Sequence, residues 1–194
     1  MNIKLIHGIH SKEGDNNMSK LLPYINMLVK PVDTVELFEY GFMGFWEARF
    51  DNDNVAMRLA LSCKEDEVWI THSNGAAIAY LAVTKYGACP KGIVNVNPAL
   101  DRWKTSPVEW VHTIHSKGDR AVWWSQWLPF HIWGDQGKVG YRGKNKNTTN
   151  INASTVNGLP KYKGHMGLFS NANIFHWAKY ITNYIYAKRV HNSK

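Results

Sequence analysis

Three side chains have the types that nucleophilic catalysis uses, a serine, a carboxylate and an imidazole: Ser73, Asp119 and His165. Ser73 lies within residues 67–80, where the apolar, β-branched and aromatic run Val68-Trp69-Ile70-Thr71 gives way within four residues to the small-residue stretch Gly75-Ala76-Ala77-Ile78-Ala79. That switch reads as a strand turning sharply into a helix. A corner of this kind lifts its side chain above the sheet and aims the first free N–H groups of the helix at whatever that side chain attacks. Ser73 is therefore the candidate nucleophile. Asp119 falls in the loop Ser116-Lys117-Gly118-Asp119, just past a strand expected over 108–115, and is a candidate partner. His165 falls in Gly164-His165-Met166-Gly167, just before an amphipathic helix expected over 171–189, where a base can reach across the same rim. Asp101 and Asp135 are alternative acids, and His131 and His176 alternative bases.

The elements that must position these residues alternate. Ile3-Lys4-Leu5-Ile6 reads as a short buried strand, closed at once by His7-Gly8, where a glycine lets the backbone turn tightly and expose N–H groups. A helix over 19–29, interrupted or started late by Pro23, comes next. A second strand over 34–40 leads through an aromatic loop, 42–50, into a helix over 54–63. The serine corner follows, then a strand over 92–97 ended by Pro98, and then the strand over 108–115. Alternation of strand and helix implies a mostly parallel sheet of about six strands with helices on both faces, a three-layer α/β sandwich whose ligand site lies at the C-terminal strand ends.

Regular structure is harder to read between 123 and 163, apart from a short strand near 150–155. The segment begins with Trp123, Trp124, Trp127, Phe130 and Trp133 and continues into a stretch rich in Gly, Lys and Asn, 134–150. A loop of this length inside a compact domain is usually functional or disordered, and a simple packed excursion is the alternative. Its aromatic part is expected to cover the site as a lid, with Trp123, Trp124 and Trp127, together with Met166 beside His165, contacting the substrate.

The chain has 194 residues, enough for one domain with a substantial core. No apolar run approaches the ~20 residues needed to span a bilayer, and the first seven residues are too polar for a signal sequence, so a cytoplasmic protein is expected. Two cysteines, Cys63 and Cys89, argue against a disulfide framework and for a reducing compartment. Charge is uneven: residues 1–100 carry nine Lys/Arg against eleven Asp/Glu, and residues 101–194 carry fourteen against four. The net charge of +8 thus belongs to the second half, which leaves a polyanion or nucleic-acid partner open beside a simple solvated face. The nine histidines show no metal-ligand spacing.

Taken together, Thr71-His72-Ser73-Asn74-Gly75, the early His7-Gly8, the Gly118-Asp119 loop and His165 before the last helix resemble the α/β-hydrolase superfamily in a minimal, small lipase- or cutinase-like form. They stand in the family's chain order, nucleophile, acid, histidine. The resemblance implies a serine esterase working through a Ser73-His165-Asp119 triad and an acyl-enzyme, with no cofactor. It also implies an oxyanion hole formed by backbone N–H groups of Asn74 and of Ile9 or His10. The pattern departs from the family at Thr71, where the first elbow residue is usually glycine.

Overall fold

The computed structural model describes residues 1–9, 15–121 and 133–191. Six parallel strands form one sheet: β1 (Asn2–Ile6), β2 (Thr34–Phe38), β3 (Glu67–His72), β4 (Gly92–Val96), β5 (Trp110–His115) and β6 (Thr148–Asn152), in the order β2-β1-β3-β4-β5-β6. The helices are α1 (Asn17–Leu28), α2 (Phe45–Leu61), α3 (Asn74–Thr84), the short α4 (Gln136–Val139) and α5 (Ile174–His191).

Alternation along the strands sorts the core into two layers. Ile3, Leu5, Val68, Ile70, Val94, Val96, Trp110 and Ile114 face one way and pack with Met18, Leu21 and Ile25 of α1 and Trp177, Ala178 and Ile181 of α5. Ile6, Trp69, Ile93 and Val111 face the other way, against Val55, Ala56 and Leu59 of α2 and Ile78, Ala79 and Ala82 of α3. Both faces of a parallel sheet are covered in this way because its crossover connections lie on them. Each fully buried large apolar side chain contributes ~1.5–3 kcal/mol relative to an exposed one, so the two layers hold the strand ends in fixed relative positions.

Several boundaries differ from those read off the sequence. Helix α1 runs straight through Pro23 rather than being interrupted or delayed by it. Its start is secured by a reciprocal capping box, in which Asn16 Oδ1 accepts from the Ser19 N–H and Ser19 Oγ accepts from the Asn16 N–H. Such a cap offsets the one backbone hydrogen bond a proline removes. Helix α2 begins at Phe45, so most of the expected aromatic loop is helical. Trp46 and Phe50 are exposed and Asn52 is buried, which scrambles the apolar period that would mark this helix. Strand β6 begins two residues and ends three residues earlier than expected.

Of the segment expected to act as a lid, residues 133–163 supply α4, β6 and several buried side chains, including Trp133, Tyr141, Ala153 and Tyr162. Trp133 belongs to the core beside α2 and α3. Trp123, Trp124, Trp127 and His131 lie outside the described residues, as does His10. No helix among the described residues is long and apolar enough to cross a membrane.

Candidate active site

In the strand order β2-β1-β3-β4-β5-β6 the chain leaves β1 in one direction and β3 in the other, so the topological switch point, where sheets of this kind bind ligands, lies at the C-terminal ends of β1 and β3. The loops leaving these two strands carry His7-Gly8 and His72-Ser73. They touch: a Cβ placed on Gly8 would sit 2.9 Å from Ser73 Cβ and 3.4 Å from Ser73 Oγ, so only glycine lets the β1 loop approach this closely.

Ser73 itself has φ 54° and ψ −122°, a backbone conformation that L side chains rarely adopt. It stands at the helix N-cap position of α3 yet its hydroxyl makes no capping hydrogen bond. The conformation is imposed from outside, because the Ser73 N–H donates to Val96 O at 3.2 Å and the Ser73 carbonyl accepts from Ala76 and Ala99 at 3.1 and 3.0 Å. Strain of this kind persists only where the surroundings over-determine it. The tight approach of helix to strand falls at Gly75, whose added Cβ would lie 2.5 Å from the carbonyl oxygens of Ile6 and His7. Thr71 is not in that gap. It is a fully buried residue of β3 whose hydroxyl donates to Asn95 Oδ1 on β4 at 2.7 Å.

Asp119 and His165 meet. His165 Nδ1 lies 2.8 Å from Asp119 Oδ2, and since a carboxylate only accepts, Nδ1 carries the proton and Nε2 is left as the basic nitrogen. Asp119 is fully buried while His165 is partly exposed at the rim. Asp101 and Asp135 are engaged elsewhere: Asp101 Oδ1 accepts from the Trp103 N–H, and buried Asp135 forms an ion pair with Arg102. His176 is exposed on α5.

His72, next to the serine, packs its ring 4.7 Å from that of His165 and edge-on to Phe169. Its Nε2 lies 3.3 Å from the His165 carbonyl, an acceptor, so Nε2 donates and Nδ1 faces Asn17 Nδ2 at 3.5 Å. Burial holds His72 well below the ordinary imidazole range, and the nearby His165 lowers it further. A neutral His72 places no second positive charge beside His165. Met166 is half-exposed, with its sulfur 2.9 Å from Asn17 Nδ2.

Residue Asn74, whose backbone N–H was expected to serve the oxyanion, is anchored by its side chain. Asn52 Nδ2 donates to Asn74 Oδ1 at 2.9 Å, Asn74 Nδ2 donates back to Asn52 Oδ1 at 2.7 Å, and Trp133 Nε1 donates to Asn74 Oδ1 at 2.6 Å. On the β1 side, the Tyr40 hydroxyl lies 2.8 and 2.9 Å from the carbonyl oxygens of His7 and Gly8, steadying the loop that continues to Ile9. Burial raises Tyr40 above the ordinary phenol range, so it remains a donor. Neither anchor carries a sequence signature, since an Asn pair on two helices and a lone Tyr after a strand match no periodic pattern.

No family model and no curated protein matches the sequence. Solved structures do. An α/β-hydrolase domain-containing protein from mouse superposes with a TM-score of 0.62 at 13% identity, over 95% of this chain and 89% of that one. An extracellular α/β-hydrolase from a Paenibacillus species gives 0.56 at 11% identity, over 97% and 98%. The chain has the α/β-hydrolase fold. A monoacylglycerol lipase from Paleococcus ferrophilus shares that α/β-hydrolase fold with a TM-score of 0.54, at 13% identity over 95% and 93% of the two chains. Within the α/β-hydrolase fold, Ser73 occupies the corner after the strand at the topological switch point, and Asp119 and His165 follow β5 and β6.

Proposed function

We propose that this protein is a serine hydrolase that cleaves an ester, thioester or related acyl bond through an acyl-enzyme. The observations that support the reading are the strained Ser73 corner and, on the loops after β5 and β6, the 2.8 Å contact between buried Asp119 and partly exposed His165. A serine hydroxyl is a poor nucleophile near neutral pH, so attack on an acyl carbon needs a base to take its proton. His165 Nε2 would accept the proton from Ser73 Oγ as the Oγ–carbon bond forms. Asp119 would hold the ring in the Nδ1–H tautomer and stabilise it once charged. Backbone N–H groups of Asn74 and of Ile9 or His10 would receive the oxyanion, each such donor being worth ~10²–10³ in turnover. His165 would then protonate the leaving group as its bond to the acyl carbon breaks. Water, activated by the same imidazole, would release the acid and restore Ser73.

The neighbours support this class at the level of fold: one is described as a monoacylglycerol lipase and another as an extracellular α/β-hydrolase. A cleft of about 820 Å³ lies between α2, α3 and the residues 99–104 and 133–135, with Tyr80, Trp103 and Trp133 in its lining but none of Ser73, Asp119 and His165; the substrate with an apolar or sugar face is proposed from the tryptophan-rich segment that follows Asp119. The expected contacts of Trp123, Trp124, Trp127 and Met166 belong to the same proposal, as does a cytoplasmic setting.

Incubation with a fluorophosphonate probe should label Ser73, and short p-nitrophenyl esters should be turned over. Ser73→Ala should abolish labelling and lower turnover by about 10⁴-fold or more. Labelling that persists in Ser73→Ala would sink the proposal.

One observation favours a second activity. Of the four acidic residues after position 100, Asp119 and Asp135 are buried, while Arg142, Lys144, Lys146, Lys161 and Lys163 are exposed. Binding of a polyanion to this half would weaken steeply with salt and would survive in Ser73→Ala.

A further inference from the structure

Asn97 follows β4 at the Asn97-Pro98 turn and has φ 45°, one of three non-glycine residues with positive φ among those described. It is completely buried. Its backbone N–H donates to Ile114 O of β5 at 2.8 Å, which fixes the main chain. Its amide Nδ2 lies 3.1 Å from Asp119 Oδ2 and 3.1 Å from Gly164 O, the carbonyl immediately before His165. Both partners only accept, so the NH₂ end of the amide must face them, one hydrogen to each. The oxygen end takes the remaining partner: the Tyr162 hydroxyl donates to Asn97 Oδ1 at 2.8 Å. Tyr162 is buried, and burial together with the Asp119 charge raises its hydroxyl above the ordinary phenol range, so it stays a donor. Every polar atom of the Asn97 side chain is therefore used, and the amide has a single permitted orientation.

The consequence lies in which atoms that orientation joins. Asp119 Oδ2 is the oxygen that meets His165 Nδ1, and Gly164 is the residue before His165. One amide thus ties together the two loops, after β5 and after β6, whose relative placement sets the Asp119–His165 contact. We propose that Asn97 is the positioning residue of this pair, acting through Asp119 and Gly164 to hold the imidazole at one angle, with Tyr162 fixing the amide. The proposal rests on the serine-hydrolase reading for its effect on rate, and on geometry alone for its effect on the Asp119–His165 hydrogen bond.

The variant that tests it is Asn97→Gly, which removes the amide while accepting the positive φ that alanine would resist. Two readouts are taken on the intact chain. The first is the low-field proton NMR resonance of an imidazole N–H bonded to a carboxylate, which disappears in His165→Ala and reports the pair without any turnover. The second is the rate of Ser73 labelling by fluorophosphonate together with kcat and KM on a p-nitrophenyl ester. Asn97→Gly should broaden or shift the resonance and lower kcat and the labelling rate by about 10- to 100-fold, the size of one lost hydrogen bond to a charged group, while KM stays near the unaltered value. Asn97→Asp keeps the acceptor for Tyr162 but cannot donate to Asp119, and should be at least as impaired. Should Asn97→Gly not fold, Tyr162→Phe, which leaves Asn97 in place with its amide unfixed, is read in the same way. An unchanged resonance with unchanged labelling in the folded variant, or full activity in Asn97→Asp, overturns the proposal. Absence of Ser73 labelling in the unaltered protein removes the hydrolase reading and leaves the resonance to decide the role of Asn97.

Discussion

Asn74 joins two tasks in one residue: its main chain opens helix α3 directly after Ser73, and its side chain is held by Asn52 and Trp133. Asn52 is largely buried in this arrangement and contributes both a donor and an acceptor to the pair. Replacing it by alanine strands a buried amide, a loss that costs about 1–3 kcal/mol. Asn52→Ala should lower the unfolding free energy by that amount in urea titrations, and should slow Ser73 labelling because the N–H that would meet the oxyanion loses its anchor. A variant with unchanged labelling would show that the amide pair supports stability alone. Asn52→Asp should be worse, since it sets a carboxylate against Asn74 Oδ1.

At the scale of elements, the strand–turn–helix at Ser73 depends on a gap only glycine can occupy. A methyl group at position 75 would meet two main-chain carbonyl oxygens of the β1 end at 2.5 Å, and neither can rotate away. Gly75→Ala should therefore cost about 1–3 kcal/mol, as overpacking does, and should displace the serine corner; equal stability and equal labelling would show that helix α3 slides freely on the sheet. The corner was legible in the sequence because period-two and small-residue patterns meet there, and Asp119 and His165 because each follows a strand or precedes a helix. Other features were not. Helix α2 hides its period behind exposed Trp46 and Phe50 and buried Asn52. Asn97 and Tyr162 are 65 residues apart and meet only because β4 and the segment after β6 end on the same rim. Spacing along a chain has no term for such pairs.

For the molecule as a whole, several histidines are buried uncharged. His112 lies on β5 between the Thr149 and Tyr180 hydroxyls, at 2.8 and 2.9 Å, and stacks on Tyr184 at 4.0 Å. Burial, with the Lys188 charge adding to it, pushes its pKa from 6.5 to about 4. Burial lowers His72 and His115 as well. In the unfolded chain these rings take up protons below about 6.5, whereas folded His112 does not until about 4. Stability is thus complete above pH 6.5 and is lost as the pH falls through that window, by roughly 3 kcal/mol for His112 alone at pH 4. Urea midpoints measured at pH 7, 5.5 and 4 should fall in that order, and His112→Phe should flatten the slope. Identical slopes in the two proteins would assign the acid sensitivity elsewhere.

The positive φ at Ser73 also bears on how this sequence can drift. At ψ −122° Ser73 lies outside the left-handed well that Asn and Asp enter with little penalty and in a region that favours glycine, whereas Asn97, which has a positive φ as well, is held by its own side-chain hydrogen bonds. In a mutant library selected only for resistance to heat, position 73 should therefore be conquered by glycine, while position 97 should stay as it is. The distance between that outcome and the natural serine would measure what the protein gives up in durability to keep a hydroxyl at the switch point between β1 and β3.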